Sequence, residues 1–448
     1  MTDANLIARY DRPVPRYTSY PTAPHFHAGI DRVAVADWLA ALPAEEPVSL
    51  YLHVPFCKQM CWYCGCNTQI TARHQPVADF AENLIAEIEL VGRHLIAGGI
   101  TTRRRVTSVH FGGGTPNSLD ADDFRRIMMA LDHVFDLAGD LDLALELDPR
   151  HLGPDFLAAL RQCGAARVSL GVQDFDPAVQ LAINRVQPYD LVARAVEDLR
   201  EAGVRGINFD LIYGLPYQSV ESMARTAQLA ASLRPDRIAL FGYAHVPWMK
   251  ANQRLIDETA LPDAPMRARQ FAAAADMLVT HGYQQIGLDH FALPTDSLAQ
   301  ALSEGRLRRN FQGYTDDCAE TILGFGPSAI SSTPWGYAQN VTDNSPWAKE
   351  VKAGRLATAR GIQLSADDRR HRALIDNIMC YGAADLTALP LNAKTELARL
   401  APLIADGLVR LDAGHLQLTP RGEPFRRIVA AAFDSYLQPD TQRHSRAV

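Results

Sequence analysis

Four of the seven cysteines in this 448-residue chain fall within ten residues, at Cys57, Cys61, Cys64 and Cys66. Cysteines that serve only as small core residues do not cluster in this way. The spacing therefore predicts a disulfide knot, a zinc site or an iron–sulfur cluster.

The rest of the sequence discriminates among these three sites. The other cysteines are dispersed and no secretion signal precedes them, which argues against disulfides. Zinc sites usually pair CxxC with a second CxxC or HxxxH, and the sequence has no such second half. Three thiolates on one tight loop can hold three irons of a [4Fe–4S] cluster and leave the fourth iron open. The spacing alone does not say which three cysteines these are.

The C-x3-C-x2-C-x-C spacing, with Tyr63 before the third cysteine, resembles the radical S-adenosylmethionine (SAM) enzymes. Within that superfamily it is most similar to the oxygen-independent coproporphyrinogen III oxidases. The resemblance implies that Cys57, Cys61 and Cys64 bind a [4Fe–4S] cluster, and that SAM chelates the open iron through its amino and carboxylate groups. It also implies that Cys66 lies beside SAM without binding iron.

Composition restricts the class of protein. The formal net charge is −7, which argues against a surface that coats nucleic acid but not against a local basic pocket for an acidic substrate. The N-terminal sequence lacks the basic and apolar regions of a signal peptide, and no apolar run approaches membrane-spanning length. We therefore expect a soluble, cytoplasmic monomer without membrane or nucleic-acid partners, in reducing surroundings that suit thiolate ligands.

Strand and helix patterns alternate from Asp37 onward. The predicted strands are 49–54, 106–111, 141–148, 167–172, 206–211 and 236–242, with a shorter one near 284–288. The predicted helices are 77–95, 121–135, 189–202, 220–233 and 265–281. Repeated βα units of this length imply a parallel sheet with right-handed crossovers.

The strands alternate between apolar and polar residues, as in 141–148, where leucines alternate with Asp142, Ala144, Glu146 and Asp148. Strands buried on both faces usually form continuous apolar runs instead. A flat sheet would bury these carboxylates under helices at a cost of several kcal/mol each, whereas a barrel around a polar ligand would not. About six units predict an α/β fold with an incomplete (βα)6-type barrel, since a closed barrel has eight. The resemblance implies the same fold.

Candidate site residues follow the strands at their carboxyl ends, where βα folds place their sites. The resemblance places Glu146, Gln173, Arg185 and Asp210 around SAM. It implies that the backbone of Gly113, Gly114 and Thr115 approaches the methionine part of SAM closely. It also matches Tyr51, Tyr63, Ala244 and Ile330 to positions that pack around SAM molecules, although ordinary core packing explains each of these four alone.

Two further strings concern the substrate. The segment 308–314 contains Asn310, Phe311 and Gln312 in the NFQGY string of the family, which faces its active site; Phe311 and Gln312, with Glu146, are the expected catalytic residues. The proline-rich PRYTSYPT string nearly reproduces the family's N-terminal signature. We expect this arm to line the active site, with Arg16, Tyr17 and Tyr20 contacting a carboxylate-bearing macrocycle. The alternative is an arm that only straps the barrel.

The resemblance implies oxidative decarboxylation of two propionates of coproporphyrinogen III to vinyl groups, giving protoporphyrinogen IX. It requires an electron donor, flavodoxin-like or ferredoxin-like, and an electron acceptor; the sequence identifies neither. Two rival functions resemble this one: a haem-carrying chaperone of related sequence, and a radical SAM paralogue with another substrate. Cys66 and the arm argue against the first, and the NFQGY string and the arm argue against the second.

The expected organisation is an arm over 1–35, a barrel domain over 36–330, and a linker with a small, mainly helical domain over 331–448. Segments 367–380 and 394–406 predict helices, 408–418 predicts a hairpin, and 424–436 predicts a last helix. This order resembles a winged helix, but the balanced charge favours a packing module over DNA binding. The isolated Cys163, Cys318 and Cys380 are interpreted as packing residues.

Overall fold

The structure is a computed structural model that describes residues 4–96, 103–388 and 394–437. The first elements are α1 (Ala4–Tyr10), α2 (Arg32–Ala41), β1 (Val48–Val54), β2 (Phe56–Cys57), β3 (Gln69–Ile70), α3 (Gln75–Ile96), β4 (Arg105–Gly113), α4 (Ala121–Val134), β5 (Asp136–Leu147) and α5 (Pro154–Cys163). They are followed by β6 (Arg167–Gln173), α6 (Pro177–Ala182), α7 (Tyr189–Glu201), β7 (Gly206–Tyr213), α8 (Val220–Ser232), β8 (Arg237–Gly242), α9 (Ala264–Thr280), β9 (Gln284–Ile286), β10 (His290–Ala292) and α10 (Ser297–Ser303).

The remaining described elements complete the sheet and form the C-terminal unit. They are β11 (Arg308–Asn310), β12 (Gly313–Thr315), β13 (Thr321–Phe325), β14 (Ile330–Thr333), β15 (Gly336–Asn340), α11 (Asn344–Lys352), β16 (Thr358–Gln363), α12 (Ala366–Tyr381), β17 (Ala383–Asp385), α13 (Lys394–Ala405), β18 (Val409–Asp412), β19 (His415–Leu418) and α14 (Arg426–Ala431). None of the helices in the described ranges is long and apolar enough to cross a membrane.

A twelve-stranded sheet forms the body of the molecule, and its central strands run parallel in the order β13-β1-β4-β5-β6-β7-β8. The outward side chains of these strands, such as Leu50, Val109 and Phe209, are at most 1% exposed and pack against the helices. The inward side chains of β4 to β8 line one common cavity, which we call the lumen, with a volume of about 210 Å³. The sheet therefore curves around polar residues as an incomplete barrel, as the alternating strand pattern predicts.

The linker predicted at the start of segment 331–448 is replaced in the structure by strands. Strands β14, β15 and β16 extend the sheet antiparallel beyond β13, and α11 lies between the last two. These strands are short, and tight turns such as Thr333-Pro334-Trp335-Gly336 separate them. Pro, Gly and Asn of such turns dominate the composition, so the segment looks like a linker although its backbone is paired.

The C-terminal unit begins at α12, where the side chains of Ser365 and Asp368 cap the helix reciprocally. The helix ends at Gly382, whose φ of 66° is the left-handed conformation that glycine adopts at helix ends. The predicted hairpin is present as β18 and β19, and β17 adds a third strand. Apolar residues of this unit form a second core that is separate from that of the barrel.

The N-terminal arm packs into this second core. Tyr17 and Tyr20 are each 1% exposed, and their hydroxyl groups lie 3.0 Å from Asp434 Oδ2 and 2.8 Å from Ser435 Oγ. The expected contact of these two tyrosines with a macrocycle is therefore wrong, because the C-terminal unit covers both rings. Arg16 differs, since its side chain is exposed to a cavity. The arm is therefore a strap, and the guanidinium group of its Arg16 lines this cavity.

Replacing Tyr17 by alanine is consequently expected to destabilise the protein rather than to weaken substrate binding alone. Loss of a buried aromatic ring from a core costs about 3–5 kcal/mol. Thermal denaturation of Tyr17→Ala should show a lower Tm, whereas Arg12→Ala, which removes an exposed arm side chain, should not. An unchanged Tm with a raised KM for the substrate would instead show that Tyr17 contacts the substrate.

Deletion of residues 1–30 should lower Tm, iron content and activity together.

Candidate active site

A cavity of about 210 Å³ lies where the cysteine loop meets the carboxyl ends of the central strands; we call it the cofactor cavity. Twelve of the expected site residues line it together: Cys57, Cys61, Tyr63, Cys64, Cys66, Gly113, Gly114, Thr115, Glu146, Gln173, Arg185 and Asp210. They belong to stretches that are far apart in the sequence. Parallel strands bring them together because their carboxyl ends share one edge of the sheet.

The cysteine loop is fixed by side chains that follow β8. The amide nitrogen of Asn252 lies 2.9–3.3 Å from the carbonyl oxygens of Cys61, Trp62 and Cys64. The amide of Gln253 donates to the carbonyl oxygen of Tyr63 at 2.8 Å. No motif marks Asn252 or Gln253 in the sequence, since each acts only through the fold that brings it to the loop.

The spread of the thiols tests which metal centre the loop can hold. All seven cysteines carry free thiols, and Cys57 Sγ lies 3.3 Å from Thr115 Oγ1. Among the described residues, the only three candidate ligands with donor atoms within 4.8 Å of one another are His74, Asp120 and Asp123, not the thiols. A single zinc ion with Zn–S bonds of about 2.3 Å needs thiols about 3.8 Å apart. The wider loop fits a cluster that spreads its ligands over several irons.

Cys64 and Cys66 are directly linked. The backbone N–H of Cys66 donates to Cys64 Sγ at 3.4 Å. The side-chain hydrogen bond from Cys66 is the main cause that lowers the pKa of Cys64 to about 6, and the same bond together with burial raises the pKa of Cys66. Within this pair, the hydrogen bond favours the thiolate at Cys64 over that at Cys66.

A buried ion network lies under Cys61. Asp148 Oδ2 is 2.6 Å from Arg150 Nη2 and 3.4 Å from Arg185 Nη1, and both guanidinium groups approach Cys61 Sγ, at 3.9 and 3.5 Å. Burial would raise the pKa of Asp148, but the charges of Arg185 and Arg150 outweigh it and hold the pKa well below its usual range. Arg185 therefore positions a cysteine in addition to lining the cavity. The sequence analysis missed Asp148 and Arg150, although both stand in the string ELDPR.

The glycine segment after β4 is required by close packing. Gly113 has a φ of 105°, and a Cβ there would lie 2.5 Å from the His53 ring. A Cβ on Gly114 would lie 2.7 Å from the carbonyl oxygen of Phe56. The N–H of Gly114 also donates to the carbonyl oxygen of Val54 at 2.8 Å. The glycines thus let this segment lie directly against the start of the cysteine loop.

Glu146 is held at the mouth of the lumen by two neighbours. Its Oε1 lies 3.1 Å from His110 Nε2, and its Oε2 accepts the N–H of Gly113 at 3.2 Å. The Tyr51 ring stacks on His110 with centroids 5.9 Å apart. Burial would raise the pKa of Glu146, but the hydrogen bond from His110, its charge and the Gly113 N–H together lower it. Glu146 is thus an ionised acceptor, and His110 is a partner that the sequence analysis did not identify.

Asp210 occupies the centre of the lumen wall. Its carboxylate accepts hydrogen bonds from Ser169 Oγ at 2.9 Å and Asn208 Nδ2 at 2.9 Å. Burial, and after it the charge of Glu146, raises the pKa of Asp210 to about 6. Nearby, Gln173 adopts a φ of 67°, a left-handed conformation that is strained for a residue other than glycine and is common at functional sites.

The other expected residues lie around this centre. Gln312 lines the lumen together with Glu146 and Asp210. Phe311 lines a different cavity, of about 270 Å³, beside the arm, and packs with Ile330 in a small apolar cluster. Neither Phe311 nor Ile330 lines the cofactor cavity. The carbonyl oxygen of Ala244 accepts a hydrogen bond from Gln253, which also holds the cysteine loop.

Comparison with known proteins shows which protein families this chain is similar to. The sequence profile of the radical SAM superfamily matches residues 51–230, and that of the HemN C-terminal domain matches residues 364–425. The oxygen-independent coproporphyrinogen III oxidase of Bradyrhizobium diazoefficiens is 49% identical over 453 residues, covering 99% of this chain and all of the relative. That of Escherichia coli is 38% identical, covering 100% of this chain and 98% of the relative.

A solved structure agrees with the sequence comparison. Coproporphyrinogen III oxidase (HemN) from Escherichia coli, described as a radical SAM enzyme, superposes with a TM-score of 0.90 at 37% sequence identity. The match covers 98% of this chain and 99% of that one. The likeness therefore extends over the arm, the barrel and the C-terminal unit alike.

Proposed function

Because the chain belongs to the radical SAM family of oxygen-independent coproporphyrinogen III oxidases, we propose that the cofactor cavity and the lumen together form its active site. The chain is a radical SAM oxidoreductase that decarboxylates coproporphyrinogen III oxidatively, and its cofactors are a [4Fe–4S] cluster and SAM. The observation that carries the proposed site is the meeting of twelve expected residues around one cavity.

Each reacting propionate loses a hydrogen atom from its β-carbon, carbon dioxide and one electron, and becomes a vinyl group. When bound, the cluster and SAM supply the radical that takes this hydrogen atom. The chain's own residues bind and orient the cofactors and the substrate, and they enclose the site. The cysteine loop and the glycine segment close the top of the lumen, so the reacting carbon is kept away from water and oxygen.

We assign the ligand roles as follows. Cys57, Cys61 and Cys64 bind three irons, and the Asp148 network holds Cys61 in place. Arg185 supports this network and offers its guanidinium group to a carboxylate in the cofactor cavity.

The carboxylates of the lumen have separate tasks. Glu146, kept ionised by His110 and Gly113, accepts hydrogen bonds from an ammonium group or a ribose hydroxyl. Asp210 lines both the lumen, beside Gln312, and the cofactor cavity, where we assign it as a hydrogen-bond acceptor for SAM. Gln312 contributes from the lumen itself, whereas Phe311 acts indirectly, through its packing in the small apolar cluster beside the arm.

We also propose the cellular setting. A small one-electron carrier, flavodoxin-like or ferredoxin-like, reduces the cluster, and a separate acceptor takes the electron that leaves with carbon dioxide. Thiolate ligands and an oxygen-sensitive cluster favour the reducing cytoplasm. One chain carries all of the site residues, which supports a monomeric enzyme.

For the division of the chain we keep an arm over 1–35 and propose that the catalytic domain extends to about residue 363. Strands β14 to β16 belong to the same sheet as the barrel strands. The C-terminal profile begins at residue 364, which supports a boundary there rather than at residue 330.

Anaerobic turnover tests the function. The purified protein, incubated with coproporphyrinogen III, SAM and a reductant, should give a product lighter by two carbon dioxide molecules and four hydrogen atoms, identified by mass as protoporphyrinogen IX. The same mixture without SAM is the control. A brown protein that cleaves SAM but leaves this substrate intact would point to a paralogue with another substrate, and tight haem binding without any decarboxylation would point to a chaperone.

A further inference from the structure

Three side chains of metal-binding types meet at the surface between the end of the cysteine loop and α4; we call them the outer site. His74 directly precedes α3, Asp120 caps the N-terminus of α4, and Asp123 lies in the first turn of α4. One donor atom of each lies within 4.8 Å of those of the other two. None of the three lines the cofactor cavity or the lumen. The outer site is therefore separate from the proposed active site.

The donor atoms of His74 and Asp120 face each other at a distance that suits a shared ligand. His74 Nε2 lies 3.4 Å from Asp120 Oδ2, which is longer than the range of about 2.7–3.2 Å for an N–H···O hydrogen bond. The helix cap uses the other oxygen, because Asp120 Oδ1 accepts the N–H of Asp123 at 2.8 Å. The capping role of Asp120 thus leaves its Oδ2 facing the imidazole.

Asp123 contributes a buried acceptor atom. Its side chain is 7% exposed, and within the described residues its Oδ2 is buried without a hydrogen-bond partner. Its other oxygen, Oδ1, lies 3.5 Å from Arg126 Nη1, whereas Nη2 of the same guanidinium donates to Glu82 at 2.6 Å. Burying a carboxylate oxygen that has lost water and gained no partner is costly, and a cation bound beside it would remove that cost.

The types of donor select the kind of cation. One imidazole nitrogen and two carboxylate oxygens are ligands of zinc, whereas calcium and magnesium prefer oxygen ligands alone. Tetrahedral zinc with bonds of about 2.1 Å places neighbouring donors about 3.4 Å apart. His74 Nε2 and Asp120 Oδ2 already have this separation, and both side chains are at least half exposed, so both can close on the buried Asp123.

We propose that His74, Asp120 and Asp123 form a zinc site that joins the end of the cysteine loop to α4. Strand β3, which precedes His74, pairs with β2 at the start of the cysteine loop. The segment that leads to Asp120 carries Thr115, which lines the cofactor cavity. Bound zinc therefore links two segments that border this cavity, and it stabilises them from outside. With three protein ligands rather than the four of a closed structural centre, zinc binds there reversibly.

The zinc content of the holoenzyme, with its iron–sulfur cluster in place, tests the site. Asp123→Asn and His74→Gln each remove one ligand, and Asp122→Asn is the matched control because it neutralises an exposed carboxylate in the same turn of α4. After anaerobic incubation with zinc sulfate and gel filtration, the wild type and Asp122→Asn should retain one zinc ion per chain more than either ligand variant. Iron content should be equal in all four proteins, which shows that zinc has not entered the cysteine loop. Equal zinc in all four would overturn the proposal.

Thermal denaturation separates a specific site from a general effect of cations. Zinc should raise the Tm of the wild type and of Asp122→Asn, because a ligand that binds only the folded chain stabilises it. The Tm of His74→Gln, which replaces an exposed side chain, should not respond to zinc. An equal response of His74→Gln, or equal stabilisation of the wild type by magnesium, would overturn the proposal. Neither measurement requires turnover, so both remain decisive if the proposed function fails.

Discussion

Replacement of Cys57, Cys61 or Cys64 by alanine is expected to abolish the cluster and all SAM cleavage. Thiolates are the only protein ligands proposed for the cluster, and two remaining ligands should not retain four irons. All three side chains line the cofactor cavity, and the contacts of Arg150 and Arg185 with Cys61 cannot replace a ligand because guanidinium groups do not bind iron.

Iron and sulfide content, absorbance near 400 nm and 5′-deoxyadenosine formation measure this effect; the wavelength is a rough expectation for sulfur-to-iron charge transfer. The matched control is Cys318→Ala, which removes an exposed thiol outside the loop and should keep all three signals. Near-normal iron in any one of the three loop variants would show that the ligand assignment is wrong.

Cys66→Ala is expected to keep its cluster but to lose most decarboxylation. The contact that joins residue 66 to the ligand loop includes its backbone N–H, which donates to Cys64 Sγ at 3.4 Å and survives in the alanine variant. The side chain itself lines the cofactor cavity close to where SAM must bind. Removing it should therefore disturb the reaction more than the metal centre.

The comparison of iron per chain with product per hour checks this prediction. The variant should resemble the wild type in iron content and absorbance while its product formation falls by at least about tenfold, the effect of roughly 1.4 kcal/mol on the barrier. Loss of the cluster would make Cys66 a ligand and would contradict the model with one open iron. Cys66→Ser, which keeps a small polar side chain, shows whether the thiol or only its volume matters.

Much of the barrel was predictable from the sequence because its signals are local. Alternation along 141–148 predicts a strand with a polar face, and β5 ends at Leu147 with Glu146 pointing into the lumen. The spacing of the cysteines predicts a metal loop, and the glycine run predicts a tight segment after β4. Parallel strands end at one edge, so residues that follow strands were expected to meet, and Glu146, Gln173 and Asp210 do meet.

Residues that act through long-range contacts could not be predicted in this way. Asn252 and Gln253 hold the cysteine loop from about 190 positions away, and no spacing rule links them to it. His110 was missed because a single histidine in a strand carries no signal until its partner Glu146 is placed opposite. Strands β14 to β16 were missed because turn residues dominate their composition.

The sequence by itself determined the cysteine loop, the sequence of βα units and the family, since each depends on residue types at short, fixed spacings. Only the tertiary structure decided what the arm does. Tyr17 and Tyr20 suit a macrocycle by their chemistry, yet both are buried in the C-terminal core, whereas Arg16 lines a cavity. The direction of a side chain from an irregular, proline-rich segment depends on what packs against it, because such a segment has no period of its own to fix its faces.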